Sequence, residues 1–255
     1  LLQHLKTNDF DIFAYGINEP SKIKDYSFFK INLLDRQSID SINWDVDYVF
    51  FFAGMTGTKN SFEDYDNFIS LNEIAFLNVL DAIKNSSFCP RVIFPSTRLV
   101  YQGDEKPLKE DASLLPKTIY AVNKIACEHY LAIYQNMFDI PFSIFRICIP
   151  YGNLLSGDYS FGTIGNLTNS LKNDGEIFLF GDGHVRRTFT HVEDLINQII
   201  ITTQKEGSKN QIFNIFGENY SLMEVSTMLC NKFGGKIKLV PWPADDQKLE
   251  SGSTI

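Results

Sequence analysis

The feature that most constrains the fold is an alternation of two periodicities along the chain. Short, nearly continuous apolar runs at residues 11–15, 48–52, 91–94 and 142–149 are separated by stretches with helical spacing. Such runs are the pattern of strands buried on both faces of a sheet. Residues 68–83 place Leu71, Ala75, Val79 and Ala82 on one helical face, and residues 120–137 do the same with Ala121, Ile125, Ala126, Tyr130 and Ile133. Strands joined through helices of this length need right-handed crossovers, so the sequence predicts an α/β fold with a doubly wound parallel sheet. Past Pro150 the rhythm changes to a segment rich in Gly, Asn and Ser, then strands at 176–180 and 211–216 and a helix at 192–203. The expected division is a sheet domain of residues 1–150 and 188–216, with a smaller lobe of 151–187 and 217–255. In such folds the ligand binds beyond the C-terminal ends of the strands.

Composition narrows the function. Thirty-one acidic against 23 basic side chains give a net charge of −8, which argues against a general nucleic-acid binder, whose affinity would need a basic face. An anionic small molecule remains admissible where a few cations converge. The longest apolar run, 48–55, is too short to cross a bilayer. No basic and apolar leader opens the chain, so a cytoplasmic location without membrane contact is expected. The four cysteines, Cys89, Cys127, Cys148 and Cys230, form no CxxC pair and read as buried reduced thiols. No clustered metal ligands are visible, and His191 reads as structural.

The chemistry concentrates in Tyr120-Ala121-Val122-Asn123-Lys124. Residues i and i+4 of a helix lie one turn apart on nearly the same face, and an ammonium near a phenol favours the phenolate. The spacing alone is weak, because Tyr26 and Lys30 share it, but those two lie in a polar stretch leading into a strand. Tyr120, by contrast, follows the segment Phe94-Pro95-Ser96-Thr97-Arg98-Leu99-Val100-Tyr101, a strand that ends in two hydroxyls. Hydroxyls at a strand end can hold a substrate oxygen whose proton Tyr120 removes. They can equally cap a turn.

With these residues in place, the sequence resembles the extended short-chain dehydrogenase/reductase family, the nucleotide-sugar epimerases and dehydratases. The likeness runs along essentially the whole chain, in the family's order. Phe52-Ala53-Gly54-Met55 is similar to the turn beneath the cofactor, and Asn72 to the family's helix asparagine. Asn32-Leu33 stands in place of an adenine-contacting Asp-Leu pair. Thr97 aligns with the catalytic Ser/Thr, Tyr120 and Lys124 with the catalytic pair, and Ser96 with a neighbouring hydroxyl. Arg146 with Tyr151-Gly152 matches the strand leading to the substrate lobe. Gly181-Asp182-Gly183, followed by Arg187, Phe189, His191, Val192 and Asp194, matches the late sugar-nucleotide segment. The resemblance implies NAD or NADP as cofactor and a homodimer. It implies a nucleotide-sugar substrate held by Ser96, Arg98, Tyr151 and Arg187, the last on the pyrophosphate. Arg186 is expected to face water.

The departures from the family pattern are informative. The chain opens at Leu1-Leu2-Gln3-His4-Leu5, which reads as the first crossover helix, so the preceding strand and glycine loop are expected to belong to a longer chain. Gly16 occupies the position that usually carries Asp for NAD, with Lys22 and Lys24 following, and the choice between NAD and NADP stays open. Ile149 stands where the family often has a substrate-binding asparagine. Arg98 and Leu99 replace the Asp-Glu pair of the 4,6-dehydratases, and leucine transfers no proton, which disfavours water elimination. The leading expectation is a 4-epimerase using Thr97, Tyr120 and Lys124. A 4-keto-sugar reductase and a non-catalytic dinucleotide sensor or scaffold are the alternatives.

Overall fold

The computed structural model describes residues 1–8, 10–19, 26–153 and 162–255. Lys22 and Lys24, and residues 154–161 of the Gly/Asn/Ser-rich segment, lie outside the described residues. The chain forms two compact units: residues 1–97, 118–146 and 196–213 in the first, and 98–117, 147–195 and 214–255 in the second. The crossing near Pro150 falls at Arg146/Ile147, and residues 98–117 join the second unit.

The first unit carries a sheet ordered Tyr48–Phe50, Arg91–Thr97, Phe142–Ile147, Gln211–Asn214, its first pair parallel. A second parallel pair joins Phe13–Gly16 to Ser27–Lys30. Lys30 therefore stands in a strand and Tyr26 before it, so their four-residue spacing brings no shared helical face. The core packs Phe51, Phe76, Val79, Leu80, Ile83, Val92, Phe94, Leu131 and Ile144 together. Helical structure runs from Tyr65 to Asn85 with a π turn at Ser70–Ile74.

The helix Ile119–Phe138 starts at Thr118, whose hydroxyl accepts the Ala121 N–H at 3.1 Å, and stops at Asp139 in the left-handed conformation (φ 57°). Its buried stripe is Ala121, Lys124, Cys127, Glu128 and Leu131. The apolar face expected from the sequence is thus corrected: Ile133 is exposed and Tyr130 half-buried, because two charged residues take up core-facing positions.

In the second unit, Arg186–His191 lies between Glu218–Ser221, antiparallel, and Ile149–Tyr151, parallel. The apolar run 142–149 is accordingly two strands in two sheets, parted at Cys148. Glu176–Phe180 pairs with Lys236–Val240. The helix Leu222–Phe233 is held by a Ser221/Glu224 capping box. Among the cysteines Cys127 is buried, but Cys89 is exposed, against expectation.

Candidate active site

Thr97 closes the strand Arg91–Thr97, and Tyr120 opens the helix Ile119–Phe138, so two element ends meet. The Thr97 side chain is hydrogen-bonded to the Tyr120 phenol. One turn on, Lys124 is buried and donates to the Pro95 carbonyl at 2.8 Å, its Nζ 4.5 Å from the Phe94 ring centre and 5.9 Å from that of Tyr120. Thr97, Tyr120 and Lys124 are brought together within the first unit.

Their electrostatics differ from the sequence reading. Burial pushes the Tyr120 phenol up to about 12, opposed only in part by the Thr97 hydrogen bond. Burial pulls the Lys124 ammonium down to about 8, against the favourable pull of Cys127 and Glu128. The expected depression of the tyrosine is therefore not present in this state. Lys124 spends its hydrogen bond on the strand carbonyl, and the loss of water around the phenol dominates.

Asn72 ties this corner to the loop after the strand Tyr48–Phe50. Its Oδ1 accepts the Met55 N–H at 2.7 Å, its Nδ2 donates to the Met55 carbonyl at 3.2 Å and approaches Asn123 Oδ1 at 3.4 Å. Asn72 itself sits in the π turn. Gly54, at φ 134°, leaves room for no side chain, since a Cβ there would stand 2.4 Å from Asn72 Oδ1. Phe52, Ala53 and Gly54 are exposed. An open glycine turn pinned beside a buried lysine and a half-buried tyrosine fits an anionic dinucleotide laid over the strand ends. Asn32 Oδ1 accepts the Leu34 N–H at 3.0 Å in a tight turn, while Leu33 packs against the core and its carbonyl accepts from Asn78.

Ser96 is corrected from a substrate contact to a core contact. Its hydroxyl donates to Glu128 Oε1 at 2.5 Å, and Glu128 is paired with Arg146 through bonds of 3.0 and 2.6 Å. Glu128 and Glu73, which accepts from Asn123 and Tyr130, escaped the sequence reading. The signal was there: Glu128 lies at i+4 from Lys124, a spacing that puts both on one helical face.

The second unit carries the remaining residues. Arg187 is buried, and its guanidinium donates to Glu250 Oε1 (2.6 Å) and to the Gly252 and Arg186 carbonyls. Arg98 donates to Thr254 Oγ1 at 3.2 Å. Tyr151 packs edge-on against His191, whose ring also closes over Gly152. Arg186 does not simply face water: it pairs with Glu224 at 3.1 Å and grips Asn219.

Among the described residues no helix is long and apolar enough to cross a membrane. Comparison with known proteins agrees with this layout. Residues 2–215 match the model of the NAD dependent epimerase/dehydratase family. An uncharacterized UDP-glucose epimerase, YtcB, of Bacillus subtilis is 28% identical over 218 residues, 85% of this chain and 67% of the relative. A UDP-glucuronate 4-epimerase of Thermodesulfobacterium geofontis is 24% identical over 229 residues, 88% of this chain and 69% of the relative. The chain thus spans about two thirds of the length of these relatives. The UDP-glucose 4-epimerase of Thermotoga maritima, solved with UDP-glucose, superposes with a TM-score of 0.86 at 19% identity, over 100% of this chain and 84% of that one. Other relatives are named as a reductase, a decarboxylase and a dehydratase. With a Rossmann-type α/β fold and a family match over most of its length, the chain belongs to the NAD dependent epimerase/dehydratase family of nucleotide-sugar enzymes.

Proposed function

We propose that this protein is a nucleotide-sugar 4-epimerase whose acid/base group is Tyr120. The observation that carries the reading is the hydrogen bond between Thr97 and the Tyr120 phenol, with Lys124 one turn further along the same helix. Phe52, Ala53, Gly54 and Met55, with Asn72 behind them, would hold a nicotinamide dinucleotide, with Asn32 and Leu33 at the adenine end. When bound, it supplies a hydride acceptor and donor at the sugar's C4. Tyr120 takes the proton from the C4 hydroxyl and returns it, and Thr97 keeps the phenol oriented. Lys124 would hold the cofactor ribose and, as the nearby cation, would favour the phenolate. In the second unit Arg187, with Tyr151, holds the anionic and sugar portions of the substrate. Arg98 and Leu99 offer no acid/base pair for elimination.

The relatives named as 4-epimerases support this choice over the reductase reading. Full-length protein supplied with UDP-, GDP-, CDP- and dTDP-sugars should interconvert the C4 epimers of one of them with no net change in nicotinamide absorbance. Stoichiometric consumption of NAD(P)H with a 4-keto sugar, and no epimer exchange, overturns the epimerase in favour of a reductase.

A further inference from the structure

Three cations of the second unit converge on one short stretch of the chain's own C-terminal segment. Arg187 Nη2 donates to the Glu250 carboxylate at 2.6 Å, Arg98 Nη1 to Thr254 Oγ1 at 3.2 Å, and Lys117 Nζ to the Glu250 carbonyl at 2.5 Å. The stretch is stitched in place: Thr254 N–H donates to the Arg186 carbonyl at 3.1 Å, Thr188 N–H to the Thr254 carbonyl at 3.3 Å, and Gly252 N–H to Glu250 Oε1 at 2.9 Å. Arg98 experiences Arg187 as a like charge and Glu250 as the opposing one, and burial with that repulsion lowers its guanidinium to about 10. Among the described residues, Glu250 is the carboxylate whose field Arg98 and Arg187 share, and the Cys148 thiol adds to it at Arg98. A guanidinium that meets a carboxylate through a charge-assisted bond presents donors that a phosphoryl group would also take.

We propose that Arg98 and Arg187 act as one diphosphate-binding pair, and that Glu250 is an internal competitor which the ligand's phosphoryl oxygens displace. The idea rests on the reading of Arg187 given above. It adds Arg98 as the residue that distinguishes a diphosphate from a monophosphate, because one guanidinium satisfies one phosphoryl group and the second phosphoryl group needs the other. It also gives the carboxylate a role. Glu250 keeps the Arg187 charge compensated when no ligand is present, and the cost is a weaker grip on the ligand.

Calorimetry with UDP, UMP and inorganic pyrophosphate tests this, with the circular dichroism and melting temperature of each variant checked alongside. Glu250→Gln keeps the side-chain shape and the acceptor for Gly252 N–H, so the fold should survive. It should bind UDP and pyrophosphate about tenfold or more tightly, since a charge-assisted contact no longer has to be broken. Arg98→Met should weaken UDP about tenfold or more while changing UMP little, lowering the UDP-to-UMP ratio, which a purely structural role would leave alone. If Arg187→Ala leaves UDP affinity unchanged, the Arg187 reading itself falls and the pair falls with it. If Arg187→Ala weakens UDP but folded Glu250→Gln binds no tighter, or folded Arg98→Met keeps the ratio, only the present proposal is overturned.

Discussion

Replacing Glu128 by Gln should cost this fold a large part of its stability. Glu128 and Arg146 are 6% and 3% exposed at their side chains and meet through two bonds of 3.0 and 2.6 Å, with the Ser96 hydroxyl also donating to Oε1. Removing the carboxylate charge takes from the buried Arg146 guanidinium the counterion it meets at 2.6 Å, a change that typically costs about 3–5 kcal/mol. That is a factor of roughly 150 to 5,000 in the folding equilibrium, against a total stability on the order of 5–15 kcal/mol for a domain. Urea unfolding followed by circular dichroism measures it directly. Because Ser96 precedes Thr97 in the strand, the variant should also loosen the Thr97–Tyr120 contact. Replacing both partners together, Glu128→Leu with Arg146→Met, should recover much of the loss, since no lone charge is left behind. A Glu128→Gln protein within about 1 kcal/mol of the parent would refute the reasoning, by showing that water reaches Arg146 or that the pair contributes little.

Tyr120→Phe should lower turnover by around 10²–10⁴-fold with nucleotide-sugar affinity unchanged by calorimetry; unaltered turnover removes Tyr120 from the chemistry. Lys124 titrates near 10.5 when unfolded and at about 8 in the fold, so the unfolded state holds more protons between those values. The unfolding free energy of the parent, relative to Lys124→Met, should therefore rise from pH 8 to 10 in urea titrations, and a flat difference contradicts the burial of the ammonium. Gly54→Ala places a Cβ against Asn72 at a positive φ, with an expected loss of about 1–3 kcal/mol and weaker binding of NAD by fluorescence titration.

Much of this molecule is legible from sequence where a single physical preference acts alone. The strand Glu176–Phe180 and the helix Val192–Thr203 fall where a short run of apolar and aromatic residues and helical spacing put them. Legibility ends where polar residues enter the interior. The helix Ile119–Phe138 turns Lys124 and Glu128 inward, so a count of apolar positions selects the wrong face. Ser96 and Thr97 are indistinguishable as adjacent hydroxyls, and only the distant Glu128 decides that one serves the core and the other meets Tyr120. Arg187 is recognisable by its neighbours in the chain, but its partner Glu250 is far away in sequence and no local pattern announces it. The run 142–149 reads as one strand because apolar continuity does not record a change of sheet at Cys148.

The π turn at Ser70–Ile74 has a consequence for how the two halves of its helix evolve. Each residue advances an α-helix by about 100°, so one residue accommodated in a wider turn rotates everything after it relative to everything before. The segment before Ser70 can thus aim Phe68 at the Tyr120 ring and the π turn itself can aim Asn72 at the Met55 loop, while the C-terminal half independently aims Ala75, Val79 and Ile83 inward. The turn works as an angular clutch. Core substitutions after Ala75 can be absorbed without swinging the Asn72 amide off the loop, whereas deleting a single residue within 70–74 should re-engage the halves, rotate Asn72 away and release Gly54 from the contact that shapes its turn.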